Sequence, residues 1–368
     1  MKRILASLTA ATALAAATLS AAPASQAVTT QEAVEAPVAA RYTVAAGPIF
    51  ANRNRAIFNR LIANVDNAPS GSTIRAMTMT FSDTGISNAL IRAARRGVYV
   101  YVAVASKACG ETAVNDLQEA DADLSRLKVS CISNGARGTT GTLHIKGMSF
   151  SRTGSSSKVV VLTSSNFTKT APTKQWNDAY QTVGWTKFYD FWTTIHRQVM
   201  PDRAITNPFR QMVDGVSRAY ATPQNPGQTD PVISRIKALP TRGLRIHVAQ
   251  SAENGTRGEL IMKALAAKRR AGASVTYVYA RPAQHRSLLA AAGGTLKMVD
   301  PPADDEFLHH KFMIASWINS AGNRVYRTWM GTEVWTDLAK SSDEMVLQLA
   351  SKRTYDRYRA QISYLLGL

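Results

Sequence analysis

Residues 143–151 read LHIKGMSFS and residues 308–316 read LHHKFMIAS. Each is a short apolar run broken by His, one residue, Lys: His144 with Lys146, and His309 with Lys311. A strand sends residues i and i+2 to one face, so each imidazole projects beside an ammonium group. One such triplet is common in a chain of this size. Two of them, 165 residues apart and set in matching surroundings, decide the reading of the fold.

Upstream of the first triplet, STIRAMTMTF (72–81), DTGISNALIRAARRG (83–97) and VYVYVAVA (98–105) read as strand, capped helix and strand. Upstream of the second, LRIHVAQS (244–251), TRGELIMKALAAKRRAG (256–272) and ASVTYVYA (273–280) repeat that order. Gly97 and Gly272 end the helices, each after a basic pair, Arg95–Arg96 and Arg269–Arg270. Ile86, Leu90, Ile91 and Ala94 in one helix, and Leu260, Ile261 and Leu265 in the other, recur at helical spacing. Both copies predict βαβ units, with parallel strands covered by helices. Downstream, VVVLTSSNFT (159–168) and VYRTWMGTEVWT (325–336) each give a strand and a polar turn, the first with Ser164 and Asn166, the second with Gly331 and Thr332. The chain reads as α/β, with half 1 over 46–200 and half 2 over 231–368. The Pro- and Gly-rich segment 201–230 connects them, and SRAYA (217–221) within it is a candidate first strand of the second half.

The 368 residues are 45% apolar and 19% charged, which excludes a disordered polyelectrolyte and a membrane bundle. A formal charge of +19 favours polyanionic partners: nucleic acid, anionic lipid headgroups or phosphate-bearing substrates. Lys2 and Arg3, an Ala/Leu-rich run to about Ala22, and small residues at Ser25 and Ala27 predict a secretory signal over residues 1–27, cleaved near Ala27. Its removal leaves a lead at 28–45 and takes away two positive charges, for +17 in the secreted form. Outside the cell Cys109 and Cys131, the only cysteines, are expected to pair and fix a loop ahead of the His144 strand. Two thiols without a matching His pair fall short of a zinc site, and no Walker loop or dinucleotide fingerprint occurs, so neither metal nor cofactor is implied. His196, His247 and His285 lack Lys at +2 and read as structural or surface residues. KFYDFWTTIHRQV (187–199) reads as an amphipathic helix facing the core.

Imidazole, ammonium, hydroxyl and amide groups gathered without an acidic ligand make a poor metal site and a good oxyanion site. Donors surround the charge, and an imidazole can attack or exchange a proton. Here the sequence resembles the phospholipase D superfamily, whose signature is His-x-Lys, an Asp about five residues on, and Gly-Ser-x-Asn on the next strand. The likeness runs from about residue 47 to the C-terminus, and LHIK, TSSN, LHHK and GT are its most specific points. It implies two α/β halves with mainly parallel-core sheets flanked by helices, and one active site between them. It also implies metal-independent cleavage of a phosphodiester through a phosphohistidine. Carried across by position, His144 would be the nucleophile and His309 the general acid and base, while Lys146, Lys311 and Asn166 would bind the phosphoryl oxygens. Carboxylates that orient the imidazoles are sought after the Ser-x-Asn strand: Asp178 in QWNDAY, and Asp343 or Glu344 in SSDEM.

The sequence departs from the pattern at four places. Ser151 and Ser316 stand where the Asp would be, beyond the catalytic atoms, and Thr163 replaces the first motif's glycine. In the second motif Thr332 stands for Ser, but Val334 takes the Asn position and Glu333 precedes it, which removes one amide donor. The leading expectation is a secreted, monomeric phospholipase D-type enzyme acting on phospholipid at a membrane surface. An extracellular nuclease on the same fold is the alternative, because the charge suits a phosphate backbone. A non-catalytic binder of anionic surfaces is the third class.

Overall fold

The computed structural model describes residues 42–300 and 305–368; the expected secretory leader and the lead up to residue 41 lie outside the described residues. Two eight-stranded sheets carry the fold. The first runs β4 (Leu127–Ile132), β3 (Tyr99–Ala105), β2 (Thr73–Thr78), β5 (Gly147–Thr153), β6 (Ser156–Thr163), β7 (Gln175–Thr182), β1 (Gly47–Asn52). The second repeats it as β12 (Thr295–Met298), β11 (Ser274–Tyr279), β10 (Arg245–Gln250), β14 (Lys311–Ile318), β15 (Arg324–Gly331), β16 (Met345–Leu349), β9 (Ser217–Ala221), with β8 (Arg210–Asp214) added at the edge. Thus β8 and β9, from the segment between the halves, belong to the second sheet, and β9 occupies the place of β1. The parallel pairing expected of the βαβ units holds for β2–β3–β4 and β10–β11–β12, while β14 and β5 onward pair antiparallel.

Helices α1 (Ala56–Asp66), α2 (Thr84–Arg95) and α3 (Thr112–Asp123) share one apolar cluster with one face of the first sheet. A short α4 (Ala171–Lys174) precedes β7, and α5 (Thr186–Val199) follows it. In the second half α6 (Pro231–Ala238) and α7 (Gly255–Arg270) share another cluster, α8 (Arg286–Ala291) follows β11, and α9 (Lys352–Leu366) ends the chain. The third cluster joins α5, α9 and residues of both sheets, so the halves meet through a common core. Phe188, Phe191, Trp192, Ile195 and Val199 are the buried stripe of α5, as its spacing predicts. Asp83 caps α2 by accepting from Ile86 N, and the αL turns at Gly97 (φ 92°) and Gly272 (φ 91°) end both crossover helices. Leu260 departs from expectation: it is 45% exposed, because the buried stripe of α7 runs through Gly258, Ile261, Met262 and Leu265. Cys109 and Cys131 form the expected disulfide, tying the turn after β3 to β4.

The halves also exchange backbone. Leu143 bridges to Asp343, with His144 N donating to Asp343 O at 2.9 Å. In return β13 (Phe307–Leu308) lies along β7, and His309 N donates to Trp176 O at 2.9 Å. Each His-x-Lys segment is therefore held by the opposite half. A buried ion pair reinforces this junction: Arg137 Nε meets Asp343 Oδ1 at 2.7 Å with both side chains fully covered, and its other nitrogens donate to the carbonyls of Pro208 and Thr222. Removing one partner leaves an uncompensated buried charge, which costs roughly 3–5 kcal/mol. Arg137→Ala should lower unfolding stability in urea by about that amount; a loss below about 1 kcal/mol would show that the pair does not hold the halves together.

Candidate active site

His144 and Lys146 lie on the extended segment leading into β5, and His309 leads into β14, which Lys311 opens. Each lysine folds back onto its own histidine's carbonyl, Lys146 Nζ to His144 O at 2.5 Å and Lys311 Nζ to His309 O at 2.7 Å. Both lysines are buried. On the next strand, Ser164 N donates to Asp178 O and Asp178 N to Ser164 Oγ, at 2.9 and 3.0 Å. The second half reproduces these bonds with Thr332 and Met345, both at 3.0 Å. This register makes Asp178 the counterpart of Met345, and Asn177 the counterpart of Glu344.

The pair Asn177 and Glu344 stands behind the histidines, crosswise. His309 Nδ1 lies 2.9 Å from Asn177 Oδ1, which also accepts from Ser164 Oγ at 2.9 Å. His144 Nδ1 lies 2.7 Å from Glu344 Oε1, off the line of a completed hydrogen bond, while Thr332 Oγ1 donates to Glu344 Oε2 at 2.6 Å. Glu344, Ser164 and Thr332 thus lie beside the two triplets. Asp178 and Asp343 do not bond the imidazoles of His144 and His309. Asp178 points one residue off, accepting from His310 Nδ1 at 2.9 Å and Tyr358 OH at 3.0 Å, and Asp343 is taken by Arg137. Asn177 escaped the sequence reading because that reading sought carboxylates. His310, the spacer of the second triplet, was passed over because only the flanking His and Lys were read for chemistry. Its Nε2 lies 3.1 Å from Gln361 Nε2, so α9 packs directly behind the second triplet.

Burial dominates the electrostatics. It holds His144 and His309 well below the usual imidazole range, helped by the charges of Lys146 and Lys311 on both, and by Lys107 on His144. These mutual effects place the two triplets next to each other. They also bring Lys107, on the turn ending β3 two residues before Cys109, near His144, where no sequence signal had marked it. Burial pushes Lys311 down to about 7 against the pull of Glu344 and Asp178, and pushes the Glu344 carboxyl up to about 8 against Lys146. Lys146 is likewise held well below its usual range. One end of the buried Asn166 amide has no protein partner. Among the described residues no cluster of three or more His, Cys, Asp or Glu is placed to hold a metal ion. Buried cations of this kind are stabilised by a neighbouring negative charge.

The departures from the motif now have places. Ser151 accepts from Thr73 N at 2.8 Å, and Ser316 lies 3.3 Å from Tyr355 OH, both out along their strands. Glu333 is turned into the second half's core, held by Arg257 Nη2 at 2.6 Å and by the Tyr220 hydroxyl.

Residues 61–195 match the family described as cardiolipin synthase, PLD-like domain. No curated protein matches the chain. Polyphosphate kinase from Porphyromonas gingivalis is similar in fold, with TM-score 0.59 and 14% identity over 88% of this chain. This chain spans only 50% of that protein's length. The phospholipase D family member Nuc from Salmonella typhimurium aligns at 19% identity and TM-score 0.36, covering 43% of this chain and 95% of its own. NucT from Helicobacter pylori aligns at 15% and 0.35, covering 43% and 96%. The site and the family match define a protein with a phospholipase D-like domain. The match supports the resemblance to the phospholipase D superfamily over residues 61–195, and the two-sheet architecture extends that kind of fold over both halves.

Because the resident lysine at 311 is held near 7, binding of a dianion above that pH must take up a proton. Affinity for tungstate, a tetrahedral dianion, should therefore fall as pH rises from about 7 to 9 in calorimetric titrations. Affinity independent of pH over that range would show that Lys311 is already fully charged.

Proposed function

We propose that this chain is a metal-independent phosphodiesterase of phospholipase D type, exported from the cell and acting through a phosphohistidine. The observation that carries the reading is the crossed arrangement of two His-x-Lys triplets in one buried pocket, with Asn177 behind one imidazole and Glu344 behind the other. In the first step Nε2 of one histidine attacks phosphorus and the other histidine protonates the departing alcohol. In the second, that histidine takes a proton from water, whose oxygen displaces the nucleophilic imidazole. Lys146, Lys311 and Asn166 hold the oxygens as charge develops. A histidine that becomes a phosphorylated imidazolium gains from a neighbouring carboxylate, which supports His144, backed by Glu344, as nucleophile. Asn177 fixes the tautomer of His309 without adding charge, which suits a group that must give up its proton easily.

Phospholipid is the substrate class that the resemblance favours. Nucleic acid is the second reading, favoured by the formal charge of +19. Phosphatidylcholine vesicles, single-stranded DNA and a chromogenic diester, each incubated with EDTA, separate them. The expected result is EDTA-insensitive turnover of the chromogenic diester and of phosphatidylcholine, reduced at least 10³-fold by His144→Ala and by His309→Ala. DNA degradation without headgroup release would move the assignment to the second class, and unchanged turnover in both variants would refute the mechanism.

A further inference from the structure

Away from the pocket, on the second half, the β8–β9 hairpin, α6 and strands β14 to β16 enclose a groove of about 530 Å3. Arg218, Arg235 and Arg327 line it, and no Asp or Glu does. Its floor is aromatic. Arg235 lies 5.1 Å over Trp329 and 5.5 Å over Tyr220, and Arg327 lies 5.7 Å over Trp317. Stacking fixes these guanidinium planes; Arg235 Nη2 donates to Tyr220 OH at 3.0 Å and Arg327 Nη1 to Tyr326 O at 2.8 Å, and the other N–H groups of each fork are left for an anion. Arg327 is held below its ordinary range by burial and by the charge of Arg218, while Glu333, buried behind Tyr220, acts on Arg235 from beneath the groove floor. Trp317 and Phe209 remain half-exposed along it.

We propose that this groove binds single-stranded nucleic acid. Alternating cations and open ring faces suit a flexible chain of phosphates whose bases stack, whereas a flat lipid surface does not reach the floor of a concave groove. The same wall faces the catalytic side: Arg235, Trp329 and Val346 line both the groove and a cavity of about 20 Å3 that touches Lys311. A strand held here would run along the outside of the partition behind that lysine. The binding does not depend on turnover at the histidines.

The test is fluorescence anisotropy with a labelled oligothymidylate of twelve nucleotides over a range of NaCl, on the wild type and in the His144→Ala background. Arg218→Gln/Arg327→Gln should weaken binding at least tenfold and reduce the salt slope by about 1.4, the value for two lost single-strand contacts. Arg353→Gln/Arg357→Gln, which removes equal charge from exposed positions on α9, should change affinity less than about threefold. Melting temperatures report folding, and Arg218→Gln alone, at an exposed position, carries the test if the double variant is destabilised. Equal weakening by both double variants would overturn the groove as the site. Binding of anionic vesicles in sedimentation, with no oligonucleotide binding, would overturn the ligand.

Discussion

The structure depends on one electrostatic constraint. Two ammonium groups and two imidazoles share a desolvated pocket in which Glu344 is the carboxylate against His144 and acts on both lysines. Cations taken out of water are costly unless they are paired or give up their protons. Both outcomes appear here: the lysines and histidines are pushed toward neutrality, and Glu344 toward its protonated form. On the proposed function, a phosphodiester would supply negative charge to these cations, and the cost of desolvating them would become selectivity for an anion. The backbone exchange between halves serves this arrangement, because Asp343 O and Trp176 O each anchor the opposite histidine next to the residue that backs its imidazole.

The two half-sites are related in backbone and differ in chemistry. The hydrogen bonds of Ser164 with Asp178 and of Thr332 with Met345 superimpose the turns residue by residue. On that common frame one position holds Asn177 and the other Glu344, and the donor amide of Asn166 has Val334 as its counterpart. A duplicated scaffold with unequal side chains places the two histidines in different environments, which is what the proposed division of their roles requires.

Much of this was legible in the sequence, because the periodicity of βαβ units and the spacing of His-x-Lys are local signals. Gly97 and Gly272 ended their helices where αL turns are needed, and the stripe of α5 was buried as its spacing required. What escaped were the contacts set by register and by partners distant in sequence. The difference between Asn177 and Asp178 is a single residue along one strand, which decides which histidine is met. Nothing local to Arg137 announces a buried pair with a residue in the other half. Leu260 failed because three apolar residues on a helix define its stripe only when the neighbouring turns are counted.

The most direct test of the central claim is to quench the enzyme during turnover of a slow 32P-labelled diester at alkaline pH and map the labelled peptide. The account predicts a phosphoryl group that is stable to base and labile to acid, on the peptide containing His144, and absent from His144→Ala. Label on the His309 peptide, or full turnover with no covalent label at any time, would contradict it.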